Sequence, residues 1–98
     1  MKNYNSIDEI REKIDKIDLE ILDLILKRKD LVTAVVKLKN RDQIIDQKRI
    51  NSILKKISSE ADEKGLSGKF VEELWRLMIK NFIEYEEKIF DEVHKKSG

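Results

Sequence analysis

The stretch at residues 7–39, IDEIREKIDKIDLEILDLILKRKDLVTAVVKLK, decides the fold. Its apolar residues return alternately every three and four positions, which places them on one face of an α-helix. They are Ile7, Ile10, Ile14, Ile17, Ile21, Leu24, Leu31, Val35 and Leu38, with Arg28 at a position where the pattern requires an apolar residue. Ser6 and Glu9 have the spacing of a capping box at its start. The pattern predicts one helix over about residues 7–39.

A second helix is predicted at about residues 47–63, after a polar connection at residues 40–46. Asp46 is placed to cap its first turn. Gly65 is placed to end it in a left-handed conformation. Its apolar face comprises Ile50, Ile53, Leu54, Ile57 and Ala61.

A third helix is predicted at about residues 68–94, with Ser67 as its cap. It ends in a polar tail, where the single histidine, His94, is expected to be frayed. The fold class is therefore all-α, a three-helix chain with one very long first helix. We expect residues 1–98 to form a single helical domain.

The first helix is too long for a compact chain of 98 residues. It would be roughly 50 Å long, whereas the radius of gyration of a compact domain of this size is near 13 Å. The second helix is about half as long and leaves much of the apolar face uncovered, so a second copy is expected to pack along it. The sequence predicts a six-helix homodimer.

Composition argues against several classes of function. The 21 basic and 20 acidic residues nearly cancel to a net charge of +1, so neither nucleic acid nor an anionic membrane is expected as a partner. The absence of cysteine excludes disulfides and thiolate chemistry. A single histidine argues against histidine-based metal sites. No apolar run of about 18 residues is present, and we expect a soluble, cytoplasmic protein.

Basic side chains stand where the helical patterns require apolar ones. Arg28 lies on the apolar face of the first helix, and Lys39 is predicted to project within about 20° of it. Arg49 adjoins the apolar face of the second helix, whereas Arg11 points to another sector of the first. Buried cations require an anion, which predicts a small dicarboxylate ligand. Alternatively, the long side chains reach solvent along their stems, and Asp46 and Arg49 form an exposed ion pair.

Glu86 is an acid on the apolar face of the third helix. The other members of that face are Val71, Trp75, Met78, Phe82, Ile89 and Val93. A carboxyl group among apolar side chains favours its neutral form, which donates a hydrogen bond. Alternatively, Glu86 is the ion-pair partner of one of the cations.

These residues, in this order, resemble the all-helical (AroQ-class) chorismate mutases, a family that includes the related isochorismate pyruvate lyases. The resemblance covers nearly the whole chain and rests on IREKIDKID at 10–18, ILKRKDL at 25–31, VKLK at 36–39 and DQKR at 46–49. It implies an intertwined homodimer that uses no metal or cofactor. It also implies a place in the shikimate pathway of aromatic amino acid biosynthesis.

The resemblance implies a role for each cation. Arg28, Lys39 and Arg49 of one chain would bind the two carboxylates of chorismate together with Arg11 of the partner subunit. Lys39 and Glu86 would flank the ether oxygen, which gains negative charge as chorismate rearranges to prephenate. This [3,3] rearrangement requires a compact substrate conformer and preplaced positive charge, and no nucleophile.

Asp46, Ile50 and Phe82 line the substrate site by the same resemblance, and two of them differ from the family pattern. Ile50 stands where the family has a glutamate that accepts the substrate hydroxyl, and Phe82 where a small hydroxyl residue is frequent. Many members have glutamine at the position of Glu86. An apolar residue at position 50 is similar to the isochorismate pyruvate lyases, which produce salicylate and pyruvate. Lyase activity is therefore the alternative.

Two non-catalytic functions are compatible with the same sequence. A helical dimer that binds an aromatic-pathway dicarboxylate without turnover predicts thermal stabilisation by that ligand. A coiled-coil interaction module predicts that Lys39→Ala changes stability alone. The cations within the apolar faces make the second of these the weaker interpretation.

Overall fold

The computed structural model describes residues 4–95, which form three α-helices. These are α1, Ile7–Val36; α2, Gln47–Glu63; and α3, Gly68–His94. Residues 4–95 contain no β-strand, and the all-α, three-helix prediction is confirmed. The bounds of α2 and α3 equal the predicted ones. No helix in this part of the chain is long and apolar enough to cross a membrane.

The chain divides into two structural units between Leu31 and Val32, within α1. In the first unit, the Ser6 hydroxyl accepts a hydrogen bond from the Glu9 N–H at 3.1 Å. The Glu9 carboxylate accepts from the N–H of Asn5, the residue before the cap, at 3.1 Å. The predicted pairing at this helix start is thus present, with its second bond shifted by one residue.

In the second unit, α2 and α3 pack together as a helical hairpin. The buried apolar residues are Leu54 and Ala61 of α2, Val71 and Ile79 of α3, and Val36 and Ile44. Both predicted caps are present: the Asp46 carboxylate accepts from the Arg49 N–H at 3.0 Å, and the Ser67 hydroxyl accepts from the N–H of Phe70 at 3.2 Å. These caps explain why both helices begin where the sequence predicts.

The turn between α2 and α3 requires two glycines. Gly65 has a φ of +85°, which confirms the predicted left-handed cap. Gly68 begins α3 close to α2, and its N–H donates to the Asp62 carboxylate at 2.7 Å. A Cβ at position 68 would lie 2.7 Å from the carbonyl oxygen of Ser58. A side chain at this position would therefore require the two helices to shift apart.

The end of α1 differs from the prediction of a helix to about residue 39. The helix ends at Val36, whose carbonyl accepts from the Lys39 N–H at 3.2 Å in a tightened last turn. The apolar pattern continues to Leu38, but Leu38 lies beyond the helix and is 84% exposed in the single chain. Because Lys39 lies beyond the helix, helical spacing no longer places it on the face of Arg28.

The connection between α1 and α2 contains a short 3-10 turn at Arg41–Gln43 that the sequence analysis did not predict. The Asn40 N–H donates to the side-chain oxygen of Gln43 at 2.7 Å, which stabilises the turn locally. Ile44 follows and is buried. The connection is thereby anchored to the core of the second unit at one apolar residue.

Candidate active site

An ion pair between Lys39 and Glu86 is the central feature of the candidate site. Lys39 Nζ lies 3.0 Å from Glu86 Oε1. The side chain of Glu86 is 9% exposed and that of Lys39 is 26% exposed. Among the charged residues at positions 4–95, Glu86 is the one that is buried in the structure. The contact agrees with the interpretation of Glu86 as the partner of a cation, and it identifies that cation as Lys39.

Two residues of α3 within about one turn of Glu86, Phe82 and Tyr85, make further contacts. The hydroxyl groups of Thr33 and Tyr85 lie 2.6 Å apart, which joins the end of α1 to α3. Phe82 is half-buried, and its ring meets that of Tyr85 edge to face with centroids 6.4 Å apart. The Thr33–Tyr85 hydrogen bond was not predicted from the sequence, because Tyr85 fits the apolar pattern of α3 and nothing in that pattern indicates a partner for its hydroxyl group.

Asp46, Arg49 and Ile50 lie at the start of α2. One carboxylate oxygen of Asp46 accepts from the backbone N–H of Arg49, Arg49 is exposed, and Ile50 is half-buried. A cleft of about 540 Å³ is lined by Lys39, Asp46 and Lys48, among others. Lys48 is a basic residue of this cleft that the sequence analysis missed, although it lies within the quoted DQKR motif.

Arg11 and Arg28 belong to the first structural unit. Arg11 is exposed in the single chain, and Arg28 is half-buried. The structure thus brings Lys39 together with Glu86, and it places Lys39 and Asp46 on one cleft. The joint binding of a substrate by all four cations stays a prediction.

His94 contacts the segment that carries Lys39. Its Nε2–H donates to the carbonyl oxygen of Val36 at 2.9 Å, and its ring stacks on Phe90 with centroids 4.0 Å apart. The prediction that His94 lies in a frayed tail is wrong, because this residue is the last of α3 and donates to the carbonyl oxygen of Val36 at the end of α1. A favourable charge or donor at a helix C-terminus is a recognised stabilising interaction.

Arg41 contacts the same turn of α3. Its guanidinium carbon lies 4.6 Å from the centroid of the Phe90 ring, and it forms an ion pair with Asp91. Arg41 was not predicted from the sequence, since a residue in a polar connection shows no helical spacing. The residues on both sides of Lys39 are therefore attached to the end of α3.

A sequence model of the family described as chorismate mutase type II matches residues 10–87. The chain belongs to this family. The match confirms the resemblance inferred from the motifs, and it includes Arg11, Arg28, Lys39 and Glu86. His94 lies outside the matched residues of the type II chorismate mutase model.

Two curated relatives of this type II chorismate mutase family member have different activities. An isochorismate pyruvate lyase of Pseudomonas aeruginosa is 35% identical over 83 residues, which cover 84% of this chain and 82% of the lyase. A bifunctional chorismate mutase/prephenate dehydratase of Buchnera aphidicola is 28% identical over 93 residues, 93% of this chain. The chain spans about a quarter of that protein, since the match covers 24% of its length.

Proposed function

We propose that this protein is a chorismate mutase, an isomerase that rearranges chorismate to prephenate. The observation that carries the proposal is the Lys39–Glu86 pair, an ammonium held at 3.0 Å by a buried carboxylate. Membership of the type II chorismate mutase family supports the same reaction.

Lys39 supplies the positive charge that this reaction requires. As the C–O bond of chorismate breaks, the ether oxygen gains negative charge, so a fixed ammonium stabilises the transition state more than the ground state. An ammonium has three N–H donors, and Lys39 can therefore bind the ether oxygen while it stays bonded to Glu86. The rearrangement is intramolecular. The enzyme therefore has to hold chorismate in a compact conformer, and no nucleophile is required.

The guanidinium groups bind the two substrate carboxylates in this proposal. Arg28 and Arg49 come from one chain, and Arg11 of the partner subunit completes the set. Arginine suits this task because its planar fork binds a carboxylate through two parallel hydrogen bonds. Asp46, Ile50 and Phe82 line the remaining walls, and Ile50 leaves the substrate hydroxyl to other partners.

An intertwined homodimer is part of the proposal. It is supported by the apolar stripe of α1, whose members are exposed in the single chain: Ile10, Ile14, Ile17, Ile21, Leu24 and Leu31. Monomeric soluble proteins rarely expose contiguous apolar patches above a few hundred Å². A second copy of the chain covers such a stripe and brings Arg11 of the partner subunit to the site.

An isochorismate pyruvate lyase is the second candidate. It is supported by 35% identity to the Pseudomonas lyase over most of both chains. It is also supported by Ile50, an apolar residue in place of the glutamate typical of the mutases. The same cations would bind isochorismate, a dicarboxylate of similar shape. A dimer that binds such a dicarboxylate without turnover is the candidate from a different class.

Side-by-side assays test the proposal. Purified protein is supplied with chorismate in one reaction and isochorismate in another, with Lys39→Ala as the matched control. We expect prephenate from chorismate, and none from the control. Salicylate and pyruvate from isochorismate, with chorismate unconverted, would establish the lyase instead. Thermal stabilisation by a dicarboxylate analogue, without turnover of either substrate, would identify the binding dimer.

A further inference from the structure

The last turn of α3 holds the Lys39 segment, residues 36–41, at both ends. At one end, His94 donates to the carbonyl oxygen of Val36. At the other, Arg41 pairs with Asp91 of α3. Lys39 lies between these two attachments, and its side chain reaches Glu86 on the same helix.

The attachment at Val36 acts directly on the backbone of Lys39. The carbonyl oxygen of Val36 accepts from the Lys39 N–H at 3.2 Å and from His94 Nε2–H at 2.9 Å. A carbonyl oxygen has two lone pairs, so both bonds form at once. The carbonyl that orients the Lys39 amide is therefore itself oriented by α3.

The two attachments share one aromatic ring. Phe90 stacks on His94 with centroids 4.0 Å apart and lies 4.6 Å from the guanidinium carbon of Arg41. Stacking of this kind limits the rotamers of both partners. The ring thus couples the start and the end of the Lys39 segment to α3.

A lysine side chain is long and flexible, and Glu86 restrains only its terminal ammonium. The direction of approach to a substrate depends also on where the backbone of Lys39 lies. We propose that His94 is a positioning residue, which sets the placement of Lys39 toward the substrate through the Val36 carbonyl. The inference rests on the proposed function in one respect, the contact of Lys39 with the reacting oxygen.

Three variants test this role. His94→Phe keeps a ring against Phe90 and removes the N–H donor, whereas His94→Gln keeps a donor and serves as the rescue. Arg76→Gln is the matched control, because it breaks the Arg76–Glu72 ion pair of α3 without touching the Lys39 segment. Each variant is measured for kcat, for KM, and for hydrogen exchange of the Lys39 backbone amide by NMR.

We expect His94→Phe to lower kcat about 5- to 10-fold with KM within about twofold, because a displaced Lys39 loses transition-state contact more than substrate binding. The Lys39 amide should exchange about fivefold faster, since local opening of its turn becomes easier. His94→Gln should restore both values toward those of the unaltered protein, and Arg76→Gln should leave both unchanged.

Unchanged kcat in His94→Phe would overturn the inference, as would faster exchange at all amides together, which indicates general destabilisation. Failure of the proposed function can be distinguished from failure of the inference about His94. If the unaltered protein converts neither chorismate nor isochorismate, the exchange measurement still decides whether His94 orders the Lys39 turn. Unchanged exchange at Lys39 in His94→Phe would then overturn the inference, and selective loss of protection there would support it.

Discussion

The carboxylate of Glu86 is more deeply buried than the ammonium of Lys39, which it binds at 3.0 Å. The two partners are therefore not equivalent. Removing the ammonium leaves a charge in a position that water reaches poorly, whereas removing the carboxylate leaves a cation with access to solvent. This difference makes the pair testable by stability as well as by activity.

Lys39→Met should destabilise the protein more than Glu86→Gln. We expect a loss of about 2–4 kcal/mol in the free energy of unfolding for Lys39→Met, because the buried carboxylate loses its counter-charge. For Glu86→Gln we expect less than about 1 kcal/mol, because the amide oxygen still accepts from Lys39. Urea unfolding at one protein concentration measures both.

Arg76→Met is the control for this comparison, since it breaks the exposed Arg76–Glu72 pair in the same helix. Its cost should stay below about 1 kcal/mol. Equal losses for Lys39→Met and Glu86→Gln would contradict the unequal burial of the pair.

Leu24→Glu should separate the two copies of the proposed dimer. Leu24 is 62% exposed in the single chain, so a monomer would tolerate the change. In a dimer it buries two uncompensated charges, which costs several kcal/mol per interface. Sedimentation or light scattering at micromolar concentration should give half the mass of the unaltered protein. Asp15→Lys, which is nine residues and therefore about half a helical turn around α1 from Leu24, should leave the mass unchanged.

Mixed dimers of Arg11→Ala and Lys39→Ala chains should regain activity. If Arg11 of the partner subunit completes the site, one site of each mixed dimer is intact and the other carries both changes. Random pairing then restores about a quarter of the unaltered activity from two inactive parents. Co-expression or joint refolding produces the mixture. Absence of recovery, with mixed dimers detected by mass, would place Arg11 and Lys39 of one chain in the same site.

Gly68→Ala should cost more stability than Gly65→Ala. At position 65 the penalty is about 1 kcal/mol, because alanine must adopt a positive φ. At position 68 the new Cβ meets the carbonyl oxygen of Ser58, and the helices must separate at a cost of about 1–3 kcal/mol or more. Ser52→Ala, at an exposed position of α2, should change stability by less than about 0.5 kcal/mol. A smaller loss at 68 than at 65 would show that the helix contact is adaptable.

The hairpin of α2 and α3 was predictable because its signals are local. Asp46 and Ser67 each bond an amide three residues later, and Gly65 supplies a positive φ. Glu86 was identifiable for a related reason, since it interrupts an apolar face at helical spacing. The helical pattern did not identify its partner, because several cations were candidates for one acid, and the family resemblance alone put Lys39 near it.

The end of α1 and the contacts of His94 were not predictable. The apolar period continues past Val36, and no feature of the sequence indicates that Leu38 lies uncovered. His94 bonds a carbonyl 58 residues earlier in the chain, and such a contact has no periodicity that a sequence reveals. Arg41 was missed for the same reason.

The separation of Lys39 and Glu86 along the chain has a kinetic consequence. Gly68 and Asp62 are six residues apart, whereas Lys39 and Glu86 are 47 apart. Loop-closure entropy rises with separation, and local contacts form fastest. The helical hairpin should therefore form early, and the Lys39 segment should dock onto it afterwards. In this order, a partly folded chain contains its helices but has no ammonium beside Glu86, and the Lys39–Glu86 pair forms only after the segment has docked.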